Sequence, residues 1–90
     1  MTTKDFENVA KNFVVKKVKE VAGIEVNKKE IQTVFFAYTL GNVKGTFYAP
    51  KMEKYYAEVT FDRFRDQMYV DLYQKVSNDV YKPEEFKYGD

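Results

Sequence analysis

The side chains of this chain that could move a proton or form a covalent intermediate are few. The sequence holds no His and no Cys, and Ser77 is its one serine. That removes Ser-His-Asp and Cys-His nucleophile arrangements, and every thiolate or imidazole metal site. The four glycines stand apart at 23, 41, 45 and 89, so no glycine-rich phosphate loop is present. Carboxylates, lysines and tyrosines remain. Asp62 and Asp66 flank Arg63-Phe64-Arg65, a spacing that could serve a hard cation or a carboxylate pair. It equally suits a charged loop whose acids and arginines neutralise each other, and that is the reading we adopt. A domain this small rarely encloses a substrate pocket of several hundred cubic ångströms. The expectation is a protein that binds without catalysis and needs no cofactor and no metal.

A second constellation is built for contact rather than chemistry. From Tyr55 to Tyr73 the sequence reads YYAEVTFDRFRDQMYVDLY. Tyr55, Ala57, Val59 and Phe61 alternate with Tyr56, Glu58, Thr60 and Asp62. Met68, Val70 and Leu72 alternate in turn with Tyr69, Asp71 and Tyr73. A period of two puts one set on each face of a sheet. Arg63 to Gln67 is long enough for a hairpin loop. Pairing the arms would gather Tyr56, Glu58, Tyr69, Asp71 and Tyr73 on one outer face, which Phe35 and Tyr48 would extend on neighbouring strands. Tyrosine is enriched at protein interfaces because it covers a large area and keeps a polar tip. Interleaved acids would suit a basic partner surface. Plain cross-strand pairing on a half-wet sheet would produce the same residues.

The elements that must position this face follow in order. Residues 3–22 carry Phe6, Val9, Ala10, Phe13, Val14, Val18 (or Lys17 by its stem) and Val21 at spacings of three and four, one apolar helical stripe. Thr3 is the expected N-cap and Gly23 the expected stop. The connection Ile24 to Glu30 is polar, with Asn27 as a turn residue. Ile31 to Leu40 reads as a strand. Its apolar groups on both faces point to a central strand, or one covered by something else. Gly41-Asn42 signals a turn, a strand follows at about 44–49, and Pro50 closes it. The tail is ambiguous. Tyr69, Tyr73, Val76 and Val80 stand at helical spacing, which favours a short helix from near Leu72 to about Tyr81. The alternative carries the last strand on to about Lys75 before irregular chain. Residues 82–90 are polar and expected to fray.

The fold class is therefore α+β in one small domain of 90 residues: an N-terminal helix on a three- or four-stranded antiparallel sheet, with or without a short C-terminal helix. Formal net charge is +1, too small for a general polyanion binder. The charge is sided, +2 over residues 1–30, +2 over 31–52 and −3 over 53–90. Lys11, Lys16 and Lys19 lie largely off the helical stripe, as on any solvated helix, and would serve an anion if they bound one. The first residues lack the apolar core of a signal peptide. Ile31 to Val43, the longest uncharged run, is too short to span a bilayer. A soluble, cytoplasmic protein is expected, with no membrane partner.

The stretches VFFAYTLGNVK at 34–44, YYAEVTF at 55–61 and MYVDLYQK at 68–75 resemble a family of small uncharacterised proteins encoded by phages and prophages of Gram-positive bacteria. The resemblance covers residues 5 to about 80 and brings no functional residues with it. It implies an accessory role in host takeover or in evading bacterial defence, as anti-CRISPR proteins do by binding. The partner would then be a host or defence-system protein, with a homodimer possible and nucleic acid or virion association the alternatives. The order helix, three strands, helix is also similar to double-stranded-RNA-binding domains. Those grip phosphate with a basic cluster opening the last helix, and Gln74 to Asp79 holds only Lys75.

Overall fold

The computed structural model describes residues 1–86. Helix α1 spans Thr3–Ala22, and four strands follow: β1 Gln32–Thr39, β2 Asn42–Tyr48, β3 Tyr55–Asp62 and β4 Gln67–Gln74. All neighbours pair antiparallel in the order β1-β2-β3-β4, so the sheet is a simple meander. Short 3-10 turns at Lys28–Glu30, Pro50–Met52 and Pro83–Glu85 complete the described chain. The architecture is α+β, with one helix covering one face of a four-stranded antiparallel sheet.

The helix spans the expected residues, but its N-cap is Thr2, one residue before the expected Thr3. Thr2 Oγ1 accepts the Asp5 amide at 3.1 Å, and the Asp5 carboxylate accepts the Thr2 amide at 3.0 Å. This reciprocal capping box satisfies two amides that the first turn cannot. Gly23 ends the helix in the left-handed conformation, φ 69°, with its amide on the Lys19 carbonyl. Phe6, Ala10, Val14 and Val18 are fully buried. Phe13 and Val21, expected in the same stripe, are exposed instead. The stripe that one sheet can cover is narrower than the apolar arc of the sequence.

The helix crosses the sheet diagonally. Near its start Thr3 Oγ1 hydrogen-bonds the Tyr38 hydroxyl, and Thr33 donates to Glu7 at 2.8 Å, both contacts with β1. Further along, Phe13, Lys16 and Lys17 border Met68 and Val70 of β4. Between these ends the core joins Phe47, Ala57 and Val59 with Val26, Ile31, Ala49 and Met52 from the connections. Gly45 lets the two layers meet: a Cβ there would lie 2.8 Å from the Phe47 ring and 3.3 Å from that of Phe6. Ala57, Val59, Phe61, Met68, Val70 and Leu72 form the inner row, as their alternation requires.

Two expectations are corrected. β1 is an edge strand and not a central one, and among the described residues no element covers its outer face. Its consecutive apolar residues are explained by a bulge: Thr33 opposes Phe47, Phe35 opposes Thr46, and Val34 is the extra residue between them. The favoured helix from Leu72 to Tyr81 is absent. β4 continues to Gln74, the Lys75 amide still reaches the Lys54 carbonyl at 2.7 Å, and residues 75–82 have no regular structure. Pairing with β3 satisfies the backbone groups of 67–74 that face it and packs Met68, Val70 and Leu72 against the core, which helical coiling would forfeit. The expectation for residues 82–90 falls partly on 87–90, outside the described residues.

Candidate functional site

Because α1 takes one face of the sheet, the other face is left to whatever side chains the alternation places there. The β3–β4 register opposes Tyr56 to Tyr73, Glu58 to Asp71 and Thr60 to Tyr69. All five residues singled out from the sequence, Tyr56, Glu58, Tyr69, Asp71 and Tyr73, thus share one surface. Tyr56 and Tyr73 stack across the strands with centroids 5.3 Å apart and 20° between planes. Phe35 and Tyr48 extend the surface toward β1 and β2. Exposure is 37% for Tyr56, 42% for Tyr69, 41% for Tyr73 and 59% for Phe35, so the rings lie open rather than packed under another layer.

The bulge adds a residue that alternation alone assigned to the inner face. Val34 turns outward and, with Thr46, Tyr48, Tyr55 and Tyr56, lines a shallow apolar depression closed by Glu53, Lys54 and Lys75. The Tyr48 hydroxyl donates to the Glu53 carbonyl at 3.0 Å, which fixes one wall. Three apolar residues in a row, Val34-Phe35-Phe36, were the signal: strict alternation cannot place them all on sensible faces without an inserted residue.

The charges of this face are partly settled within the chain. Lys44 Nζ lies 3.3 Å from Glu58, so the cross-strand pair Glu58–Asp71 does not confront two bare carboxylates. Asp71 belongs to none of the ion pairs among the described residues. The field is still negative at Tyr73. Its hydroxyl keeps its proton to higher pH than a free phenol, first because of Glu58, then through lost solvent, then because of Asp71.

The other sequence candidates resolve differently. Asp62 accepts the Phe64 and Arg65 amides at 3.0 and 3.2 Å and lies 3.9 Å from the Arg65 guanidinium. It organises its own loop, with Asp66 at φ 52° completing the turn. Among the described residues no cluster of three or more metal-ligating side chains occurs. The lysines of the N-terminal third do not form one basic face. Lys4, Lys11, Lys28 and Lys29 surround a concavity shared with Asp5 and Glu7, Lys16 and Lys17 sit with Glu20 beside β4, and Lys19 pairs with Glu25 at 3.0 Å. Among the described residues no helix is long and apolar enough to cross a membrane.

No curated protein and no solved structure matches the chain. A family model does: residues 7–83 match the family of unknown function DUF6275, and the chain belongs to that family.

Proposed function

We propose that this chain is a non-catalytic binding protein that engages another protein through the open face of its sheet. One observation carries the reading: among the described residues a helix covers one face of the four-stranded sheet only, and the other face carries Val34, Phe35, Tyr48, Tyr56, Tyr69 and Tyr73. Strands held by a folded core are preorganised, so little ordering entropy opposes binding there. The rings supply apolar area with polar tips, the composition of energetic centres in protein interfaces. Asp71, in no ion pair among the described residues, favours a partner with a basic group beside an apolar patch. The resemblance to phage and prophage proteins makes a host protein, a defence enzyme included, the first partner to seek, in the cytoplasm of the host cell.

The test is capture from host lysate on immobilised wild-type protein and, in parallel, on the Tyr56→Ala, Tyr69→Ala variant. A partner held by the first and lost from the folded second supports the proposal. A partner retained equally by both removes this face from consideration. Strong retardation of DNA or RNA that weakens steeply between two salt concentrations, with no protein captured, would instead favour a nucleic-acid module built on the lysines of residues 4–29.

A further inference from the structure

The two edges of the sheet are not equally protected. β1 carries the bulge at Val34, which interrupts its ladder and spoils it as a template for another strand. β4 runs eight residues without bulge, proline or lysine, and among the described residues nothing pairs with its outer edge. Natural sheets usually guard such an edge with charge, a kink or a covering element. Beside this edge Phe13 stands 41% exposed on α1 and borders the same concavity as Met68 and Val70, both half-buried. Phe13, Met68 and Val70 thus form an apolar strip beside the unpaired backbone, flanked by Lys16, Lys17 and Glu20.

We propose that β4 pairs antiparallel with the β4 of a second copy of this chain, about a two-fold axis through Val70, joining two sheets into one of eight strands. An open backbone edge is satisfied by another strand, and the pattern of β4 fits itself. With the axis at Val70, residues symmetric about position 70 oppose one another: Val70 meets Val70, Met68 meets Leu72, and Tyr69 meets Asp71. Apolar groups of the strand then face apolar groups on the helix side, and within the strand pair no like charges are opposed. Moving the axis one residue, to Asp71, would set two carboxylates against each other, which is destabilising in a cross-strand pair. Phe13, bordering Val70, comes to the axis in the favoured register and meets its counterpart, as an isologous contact requires. The outer faces of the two copies would merge, but the pairing stands whether or not that face takes a partner.

The absence of cysteine from the sequence makes the register directly readable, because one introduced thiol reports on one position. Directly opposed residues of an antiparallel pair have Cα atoms about 4.5–5.5 Å apart, within the roughly 4.4–6.8 Å that a disulfide spans. Val70→Cys should form a covalent dimer under mild oxidation, and Val34→Cys, on the far edge and more exposed, should not. Wild-type protein should sediment as a dimer. Phe13→Lys, an exposed helix position, should keep its circular dichroism and weaken that dimer about tenfold or more. A wild-type chain that stays monomeric at its highest soluble concentration overturns the proposal. So does crosslinking at position 34 in preference to 70, or a dimer that folded Phe13→Lys leaves unchanged.

Discussion

Tyr56 and Tyr73 lie directly opposite each other on β3 and β4, their rings stacked at 5.3 Å on the face that the helix does not cover. A cross-strand aromatic pair of this kind steadies the hairpin and holds the two rings roughly parallel on the exposed face. Each ring limits the rotamers of the other, so this apolar platform is ordered before any partner arrives.

Truncating that platform should separate its two roles. The Tyr56→Ala, Tyr73→Ala variant should lose about 1 kcal/mol of stability, the scale of one cross-strand aromatic pair. Partner affinity should fall about a hundredfold or more if both rings are interface anchors. Denaturant titration beside calorimetry of the captured partner gives both numbers. A variant that is weakened in stability but binds as well as wild type would reduce the pair to a strut of the hairpin.

Val59 is fully buried at the centre of the inner row. Val59→Asp places a carboxylate there with no partner, and should cost about 4 kcal/mol or more. That is a large share of the roughly 5–15 kcal/mol that keeps a domain folded. A loss below about 1 kcal/mol, the range of surface changes, would mean that the faces of β3 are reversed.

At Gly45 the constraint is space. Phe6 and Phe47 are both fully buried, so their rings have little room to yield to a methyl group 2.8 and 3.3 Å away. Gly45→Ala should therefore destabilise by about 1–3 kcal/mol through overpacking. Gly23→Ala meets nothing within 4 Å, and its cost is conformational, about 1 kcal/mol for a left-handed residue. Chemical unfolding of the two variants side by side should rank Gly45→Ala as the more damaging.

The titrating groups bias stability at both ends of the pH scale. Asp5 and Glu30 are held below their ordinary values, first by the amides of Thr2 and Asn27, and Glu25 by its hydrogen bond from Lys19. A lowered folded pKa gives stability that is present above the ordinary carboxylate range, about pH 4, and is lost as pH falls through the folded value. Tyr73 is raised, so its contribution is present below about pH 10 and is lost as pH climbs further. Melting temperature against pH should fall on both sides. Asp5→Asn should flatten the acid limb, and Tyr73→Phe should flatten the alkaline one.

The sheet face was readable from the sequence because alternation over 55–62 and 67–74 is nearly unbroken, and period alone decides which side chains share a side. The neighbours of β1 were not readable. Periodicity reports faces and says nothing about order within a sheet, so Val34-Phe35-Phe36 looked like a covered strand when it marks a bulge at an edge. The tail misled for another reason. Spacings of four, three and four at Tyr69, Tyr73, Val76 and Val80 overlap spacings of two at Met68, Val70 and Leu72, and only the waiting ladder of β3 decides between them. Phe13 and Val21 belong to the apolar arc of the helix, but a single sheet cannot reach around to cover them.

α1 rests most heavily on β4, the first element of the chain against the last strand. During synthesis the helix leaves the ribosome with Phe6, Ala10, Val14 and Val18 bare, and the surface that will receive them is not yet made. β4 ends at Gln74, some fifty residues after the helix ends at Ala22, an interval of about 3–10 s at ordinary rates of elongation. Each hairpin can close behind the ribosome as soon as its second arm appears, since every ladder joins consecutive strands. The helix cannot settle fully until β4 joins the sheet. The earliest segment made is thus the last to be seated, and for those seconds its greasy stripe is the part of the nascent chain that a chaperone would hold.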